Sequence, residues 1–181
     1  MGDEGRQGVS TMTDESSAGT TPPADGRRFA EWVRPHLPLM ARLAARLAVG
    51  ADRDDVVQEA LARAWAKRHQ YDETRGTASA WLVAITADQA RKVVRRLRPV
   101  AELEEHHRVH SGARTDVDAR LDVGQALTTL SARQRLAVEC YYFVDLSVAD
   151  TAAVMGCSEG TVKSTLSDAR ARLRSLLEVS E

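Results

Sequence analysis

Residues 146–177, LSVADTAAVMGCSEGTVKSTLSDARARLRSLL, decide the fold. They divide into a short helix, a tight turn at Gly156 and a longer helix with a basic end. Ala152 is small where the first helix must cross closely over the second. Gly156 supplies the positive φ the turn needs, and β-branched Val162 plugs the crossing. Ser147 and Ser158 stand where a side-chain oxygen caps each helix. Val162, Leu166, Ala169, Leu173 and Leu176 recur at spacings of four and three and make one apolar stripe. The opposite face carries Thr161, Lys163, Ser164, Ser167 and Arg170, short polar groups suited to base edges beside cations suited to phosphates. A surface helix of an ordinary bundle would give the same stripe. The small, glycine and β-branched positions at their offsets favour a helix-turn-helix.

Outward from this motif the pattern stays helical. There is no run of alternating Val, Ile or Thr, aromatics make up only 4%, and the expected class is all-α. With 181 residues, 43% of them hydrophobic, the chain can bury one modest core or two small ones, and the pattern favours two. Net charge is −1, but its distribution is uneven. Residues 27–99 hold fifteen Lys and Arg against eight Asp and Glu, while residues 1–26 hold one against five, so the base is concentrated in the first block. No apolar run reaches the roughly 18 residues of a membrane span, and the acidic N-terminus is unlike a secretory signal, which places the expected protein in the cytoplasm. Cys140 and Cys157 make neither a disulfide scaffold nor a zinc site.

In chain order, residues 1–26 have almost nothing to bury and read as a disordered tail. Phe29, Trp32 and Val33 open a helix that Pro35 and Pro38 interrupt or restart, with Leu39, Leu43 and Leu47 continuing it to a stop at Gly50. The next helix starts on acids matched to its positive end and runs to about Gln70 over an inner face of Val56, Val57, Ala60, Leu61, Ala64 and Trp65. Its outer face, Asp55, Gln58, Glu59, Arg63 and Lys67, is either solvated charge or a partner surface. After the turn at 71–77, a helix over about 78–97 closes on Arg91, Lys92, Arg95, Arg96 and Arg98. A helix dipole accounts for one or two such cations; a polyanion partner accounts for all of them. Residues 99–117 read as a linker whose His106, His107 and His110 lack a fourth metal ligand, so no metal or other cofactor is expected. A four-helix block follows from about 118, in which Ser131 and Gln134 form a capping box for a helix over 132–144.

This layout resembles the sigma factors of bacterial RNA polymerase, and the two-block form resembles their extracytoplasmic-function group. The likeness spans about residues 27–177 and rests on DDVVQEALARAW at 54–65, RGTASAWLVAI at 75–85 and LSARQRLAVECYYFVDLSVADTAAVMGCSEGTVKS at 130–164. It implies a first domain at 27–98 (sigma region 2), a linker at 99–117 and a second domain at 118–181 (sigma region 4). Asp55, Val56, Val57, Gln58 and Glu59 would dock on the β′ clamp helices of the polymerase core, with the second block at the β flap. Arg75, Gly76, Thr77 and Ser79 would hold a base flipped from the minus-10 element, beside Trp81, Asp88, Arg91, Lys92, Arg95 and Arg96 along the melted strand. Ser158, Thr161, Lys163, Ser164, Ser167 and Arg170 would face the minus-35 element, with Arg172 and Arg174 nearer backbone or polymerase. Promoter opening would use binding energy and no covalent chemistry, and an anti-sigma factor would be a further partner.

The chain departs from the family pattern at Ala87 and Asp88, where Arg-Asn is common, at Lys92 in place of an acid, and at Thr165 and Asp168 in place of arginines. Asp88 therefore either reads a base amine or is turned away from the strand. The second block alone should bind duplex weakly and need polymerase to present both blocks together. The competing function is a free-standing helix-turn-helix regulator, which would leave the first block without a purpose. An enzyme finds no phosphate loop, no nucleophile beside a base and no paired His and carboxylate.

Overall fold

The computed structural model describes residues 21–97 and 123–178. Eight α-helices account for most of them, and no strand occurs among the described residues. The first block holds α1 (Gly26–Val33), α2 (Leu37–Leu47), α3 (Arg53–Lys67) and α4 (Ala78–Leu97). Asp25 caps α1 by accepting from the Arg28 amide at 2.9 Å. Pro35 sits in the tight turn Arg34–His36 that separates α1 from α2, and Pro38 occupies the first turn of α2, where its missing N–H costs nothing. Asp52 caps α3 through the Asp54 amide at 2.7 Å, and Asp54 and Asp55 add acid to the same first turn.

The core of this block is aromatic at one end. Phe29, Trp32, Val33, Met40, Ala60, Ala64 and Leu82 are buried together. Trp32 meets Tyr71 and Trp81 edge-on at 6.1 and 6.3 Å, and Phe29 meets Trp65 at 5.2 Å. At the other end Ala44, Ala48, Val56 and Ala90 close α2 onto α3 and α4. The small residues let these helices approach closely.

The second block holds α5 (Val123–Thr128), α6 (Ala132–Val138), α7 (Val148–Met155) and α8 (Glu159–Glu178). The capping box is formed in both directions: Gln134 N donates to Ser131 Oγ at 3.2 Å, and Ser131 N donates to Gln134 Oε1 at 3.1 Å. The helix expected over 132–144 does not stay α-helical. From Glu139 to Phe143 it widens into a π-helical turn, with Val144 N donating to the Glu139 carbonyl at 2.9 Å. Such a turn re-phases the side chains, so Glu139 and Cys140 both turn inward. Burial pushes the Cys140 thiol up to about 12. At Gly156 the backbone is left-handed (φ 60°, ψ 41°), and α7 ends there with the Gly156 N–H donating to the Ala152 and Ala153 carbonyls. Val162, fully buried, packs with Leu127, Leu130, Ala137, Val138, Ala152, Leu166 and Ala169 at the crossing.

The two blocks also share a core. Leu43, Val83 and Ala87 of the first are buried with Leu136, Cys140, Val144 and Leu146 of the second. Around this seam Arg46 Nε pairs with Glu139 Oε2, and the Arg46 guanidinium lies over the Phe143 ring at 3.4 Å. Arg135 donates to the Arg46 carbonyl at 2.6 Å, and Arg42 donates to the Phe143 carbonyl at 3.2 Å. The Glu139 side chain is only 1% exposed, and the Arg46 and Arg135 guanidinium groups beside it offset the cost of burying a carboxylate. The pattern favours two small cores, and this cluster joins them, because periodicity gives the direction of a side chain and not its partner. The described residues begin at 21, so most of the tail at 1–26 lies outside them, as do the linker, its three histidines and Arg98.

Candidate polymerase and promoter interfaces

Three surfaces carry the sequence-predicted residues. The first is the outer face of α3. Asp55, Gln58 and Glu59 are exposed, and Val57 is half-buried beside them. Val56 is different: it is fully buried against Ala44, Ala48 and Ala90. Its expected contact with a partner is corrected accordingly, because a side chain with no accessible surface supports the face from beneath.

The second surface is the turn before α4 and the helix after it. Asp72 accepts from the Thr74 hydroxyl at 2.7 Å and amide at 3.0 Å, and these bonds hold its carboxyl below the usual range. Gly76 follows at φ 151°, a conformation that favours glycine. Tyr71 reaches from below to donate its hydroxyl to the Gly76 carbonyl at 3.4 Å. Burial, then the Glu73, Asp150 and Asp72 carboxylates, push the phenol up, so it remains a donor. Thr77 caps α4 by accepting from the Ala80 amide at 3.2 Å. Ser79 Oγ lies 3.0 Å from His36 Nδ1, and Trp81 packs against Trp32 and Tyr71. The turn is thus built on an aromatic floor, with Arg75 and Thr77 exposed above it.

Further along α4, Asp88 is paired with Lys92 at 2.7 Å and lies 3.9 Å from Arg91. The Lys92 bond first, with the Lys92, Arg91 and Arg63 charges, holds this carboxyl below its ordinary value. The unusual acid is therefore neutralised within its own helix, at the expense of Lys92 as a free phosphate ligand. Arg95 and Arg96 are exposed at the end of α4. A cleft of about 550 Å³ runs beside this face, with Arg63, Lys67, Arg75 and Arg91 on its walls and Trp81 and Ile85 among its apolar lining.

The third surface is α8. Ser158 caps it by accepting from the Thr161 amide at 3.2 Å, and its hydroxyl lies 2.9 Å from Thr161 Oγ1. Lys163, Ser164, Ser167 and Arg170 are exposed on one side, as are Arg172 and Arg174, while Thr161 is half-buried. Lys163 lies 3.9 Å from Glu159, a loose surface pair that a phosphate can displace. Among the described residues no helix is long and apolar enough to cross a membrane, and no group of three or more His, Cys, Asp or Glu is placed to hold a metal.

Sequence reasoning left out His36, Tyr71 and Asp150, which fix the turn before α4. Asp150 had a sequence signal, since Ser147 and Asp150 stand at capping-box spacing. His36 had none: it meets Ser79 across the fold. Partial burial lowers the His36 pKa from the ordinary 6.5. The fold therefore favours neutral imidazole, and the unfolded chain binds the extra proton as pH falls. Its contribution is complete above pH 6.5 and is lost as pH drops through the lowered folded value. The thermal midpoint should fall between pH 7.5 and pH 5.5, and His36→Asn should flatten that fall; equal slopes in both proteins would contradict this.

The surfaces coincide with two family models. Sigma-70 region 2 matches residues 32–99, and Sigma-70 region 4 matches residues 120–173. The ECF RNA polymerase sigma factor SigM of Mycobacterium tuberculosis is 36% identical over 160 residues, covering 84% of this chain and 79% of that one. SigL of the same species is 33% identical over 150 residues, covering 79% and 85%. Among solved structures, CnrH in complex with the cytosolic domain of CnrY superposes with a TM-score of 0.64 at 29% identity, over 87% of this chain and 92% of that one. The sigma factor RpoE bound to the anti-sigma factor NepR, from Bartonella quintana, gives 0.61 at 31% identity, over 86% and 99%. With two region models matched in order and relatives aligned over most of both chains, this chain belongs to the extracytoplasmic-function (ECF) family of RNA polymerase sigma factors.

Proposed function

We propose that residues 27–98 act as sigma region 2 and residues 118–181 as region 4, joined by a linker at 99–117, and that the chain directs RNA polymerase core to its promoters from the cytoplasm. Asp55, Gln58 and Glu59, with Val57, dock on the β′ clamp helices, and the second block sits at the β flap. The turn at Arg75–Ser79 takes a flipped minus-10 base over the aromatic floor, and Arg91, Arg95 and Arg96 follow the strand's phosphates. The exposed side of α8, from Ser158 to Arg170, enters the minus-35 major groove. The chain contributes no covalent step, so it is not an enzyme. An anti-sigma factor is a further partner, as NepR is for RpoE.

The observation that carries this reading is the pairing, in one chain, of an exposed acidic α3 face with a helix-turn-helix whose polar side is exposed. A free regulator has no use for the first. The test is reconstitution with bacterial core polymerase and run-off transcription. Core binding with promoter-dependent run-off is the expected result, and duplex binding without affinity for core would overturn it. In the same assay Lys163→Ala with Ser164→Ala should lower transcription about thirtyfold on promoters that need the upstream element, since each of the two lost base or phosphate contacts is worth roughly 1 kcal/mol or more. Equal activity on all promoters would remove the recognition role from this face.

A further inference from the structure

The polar side chains of α8 differ in what already engages them. The Thr161 carbonyl accepts from the Ser164 hydroxyl at 3.0 Å and from the Thr165 hydroxyl at 2.7 Å, so both hydroxyls donate within their own helix. Arg170 Nε donates to the Leu166 carbonyl at 3.3 Å, and Lys163 rests 3.9 Å from Glu159. Asp168 is different. It is exposed, and among the described residues it takes part in no ion pair or hydrogen bond, although Arg172 stands four residues on. Glu159 gains from the positive N-terminus of α8, whereas Asp168, the tenth residue of that 20-residue helix, lies beyond its reach. The fold thus gives this carboxylate no internal partner. Leu166 and Ala169 are buried on the other side, and Asp168 shares the exposed side with Ser164 and Ser167. It lies about 6 Å beyond Ser164 along the helix axis, or about two base pairs on a duplex.

We infer that Asp168 is a specificity-determining residue for the upstream element, accepting a hydrogen bond from the N4 amine of one cytosine. This rests on the reading of α8 as the minus-35 recognition helix, whose Ser158–Arg170 stretch contains it. A carboxylate can only accept, and phosphates repel it, so a place for it in the groove must offer a donor. In the major groove guanine shows O6 and N7 and thymine shows O4, all of them acceptors; only cytosine and adenine present an amine. Adenine sets its N7 acceptor beside that amine, where it repels the second carboxylate oxygen. Cytosine has no acceptor on that edge and is the better partner. A wrong base therefore loses a contact and also places acceptor against acceptor, which is discrimination by repulsion. Exposed Arg170, Arg172 and Arg174 supply the phosphate contacts that offset the acid's own repulsion from the strands. The helix carries two opposite codes, with Lys163 suited to guanine and Asp168 to cytosine.

The test uses holoenzyme reconstituted from the full chain and bacterial core polymerase. It transcribes a duplex DNA library randomised over the upstream and minus-10 elements, and the transcribed templates are sequenced. Wild type should prefer cytosine about tenfold at one upstream position, the order of discrimination a good base contact gives. Asp168→Ala should flatten that position and leave the others unchanged. Asp168→Asn should move it toward adenine, because an amide accepts from N6 and donates to N7 together; a residue that only shaped the helix would move no single base. If Asp168→Ala raises transcription evenly on all sequences with base preferences unchanged, the acid only repels phosphate and the inference is overturned. Loss of a preference for any base other than cytosine overturns it as well. Lys163→Ala with Ser164→Ala separates the two readings. If that pair alters upstream preferences while Asp168→Ala alters none, α8 remains the recognition helix and the role of Asp168 is refuted. If neither alters any upstream preference, α8 is not the minus-35 helix and the inference falls with that reading.

Discussion

Val162→Asp is expected to unfold the second block. Val162 has no accessible surface and is buried in one cluster with Leu127 and Leu130 of the α5 region, Ala152 of α7 and Ala169 of α8. An unpaired carboxylate there would cost about 4 kcal/mol or more. That is a large share of the roughly 5–15 kcal/mol a domain has in total. Val162→Ala, which removes two methyl groups and leaves a small void, should cost about 2 kcal/mol and leave a folded protein. Urea unfolding followed by circular dichroism gives both values. The shared core adds a second readout: losing α6 and α7 exposes Leu43, Val83 and Ala87, so amide protection in α2 and α4 should fall as well. A Val162→Asp chain as stable as wild type would mean that the crossing of α7 and α8 does not depend on this residue.

Reversing charge on α3, by Asp55→Lys with Glu59→Lys, should weaken binding to core polymerase at least about a hundredfold. Truncating one partner of a buried, hydrogen-bonded interfacial charge pair costs about 2–5 kcal/mol, and 1.4 kcal/mol is a factor of ten. The fold should tolerate the change. Both side chains are exposed, Asp52 still caps the helix and Asp54 still faces its positive end. The loss of Asp55 from the first turn costs only about 0.3–1 kcal/mol. Fluorescence anisotropy with labelled sigma factor and purified core measures the affinity, and circular dichroism checks the helix. If affinity is retained, the docking face lies elsewhere. Val56→Ala is the useful contrast: a core residue, it should lower stability by about 2 kcal/mol while leaving the charged face intact.

Much of this molecule was legible in the chain because its signals are local. Ser131 with Gln134, Ser147 before α7, Ser158 before α8 and left-handed Gly156 act within one helical turn, so residue type and spacing suffice to find them. The stripe from Val162 to Ala169 marks which side of α8 is apolar, and by exclusion which side remains for DNA. Asp88 shows the limit of such reasoning. Its pairing with Lys92 is one turn away and was open to the same spacing rule, yet whether it faces the strand or its own helix depends on the side chains' final geometry.

Sequence by itself determined the helices, their caps, the bent pair at the end of the chain and the charged faces, since each depends on neighbours within a few residues. Tertiary structure alone decided what covers the apolar faces. Leu43 and Leu136 fit a private core as well as a shared one, because periodicity gives the direction of a side chain and not the identity of its partner. The Arg46 pair that makes the burial of Glu139 tolerable, the His36 contact with Ser79 and the Asp150 contact with Thr77 join residues 43 to 93 positions apart. Such pairs exist only once the chain has folded back on itself, and two of them fix the turn before α4.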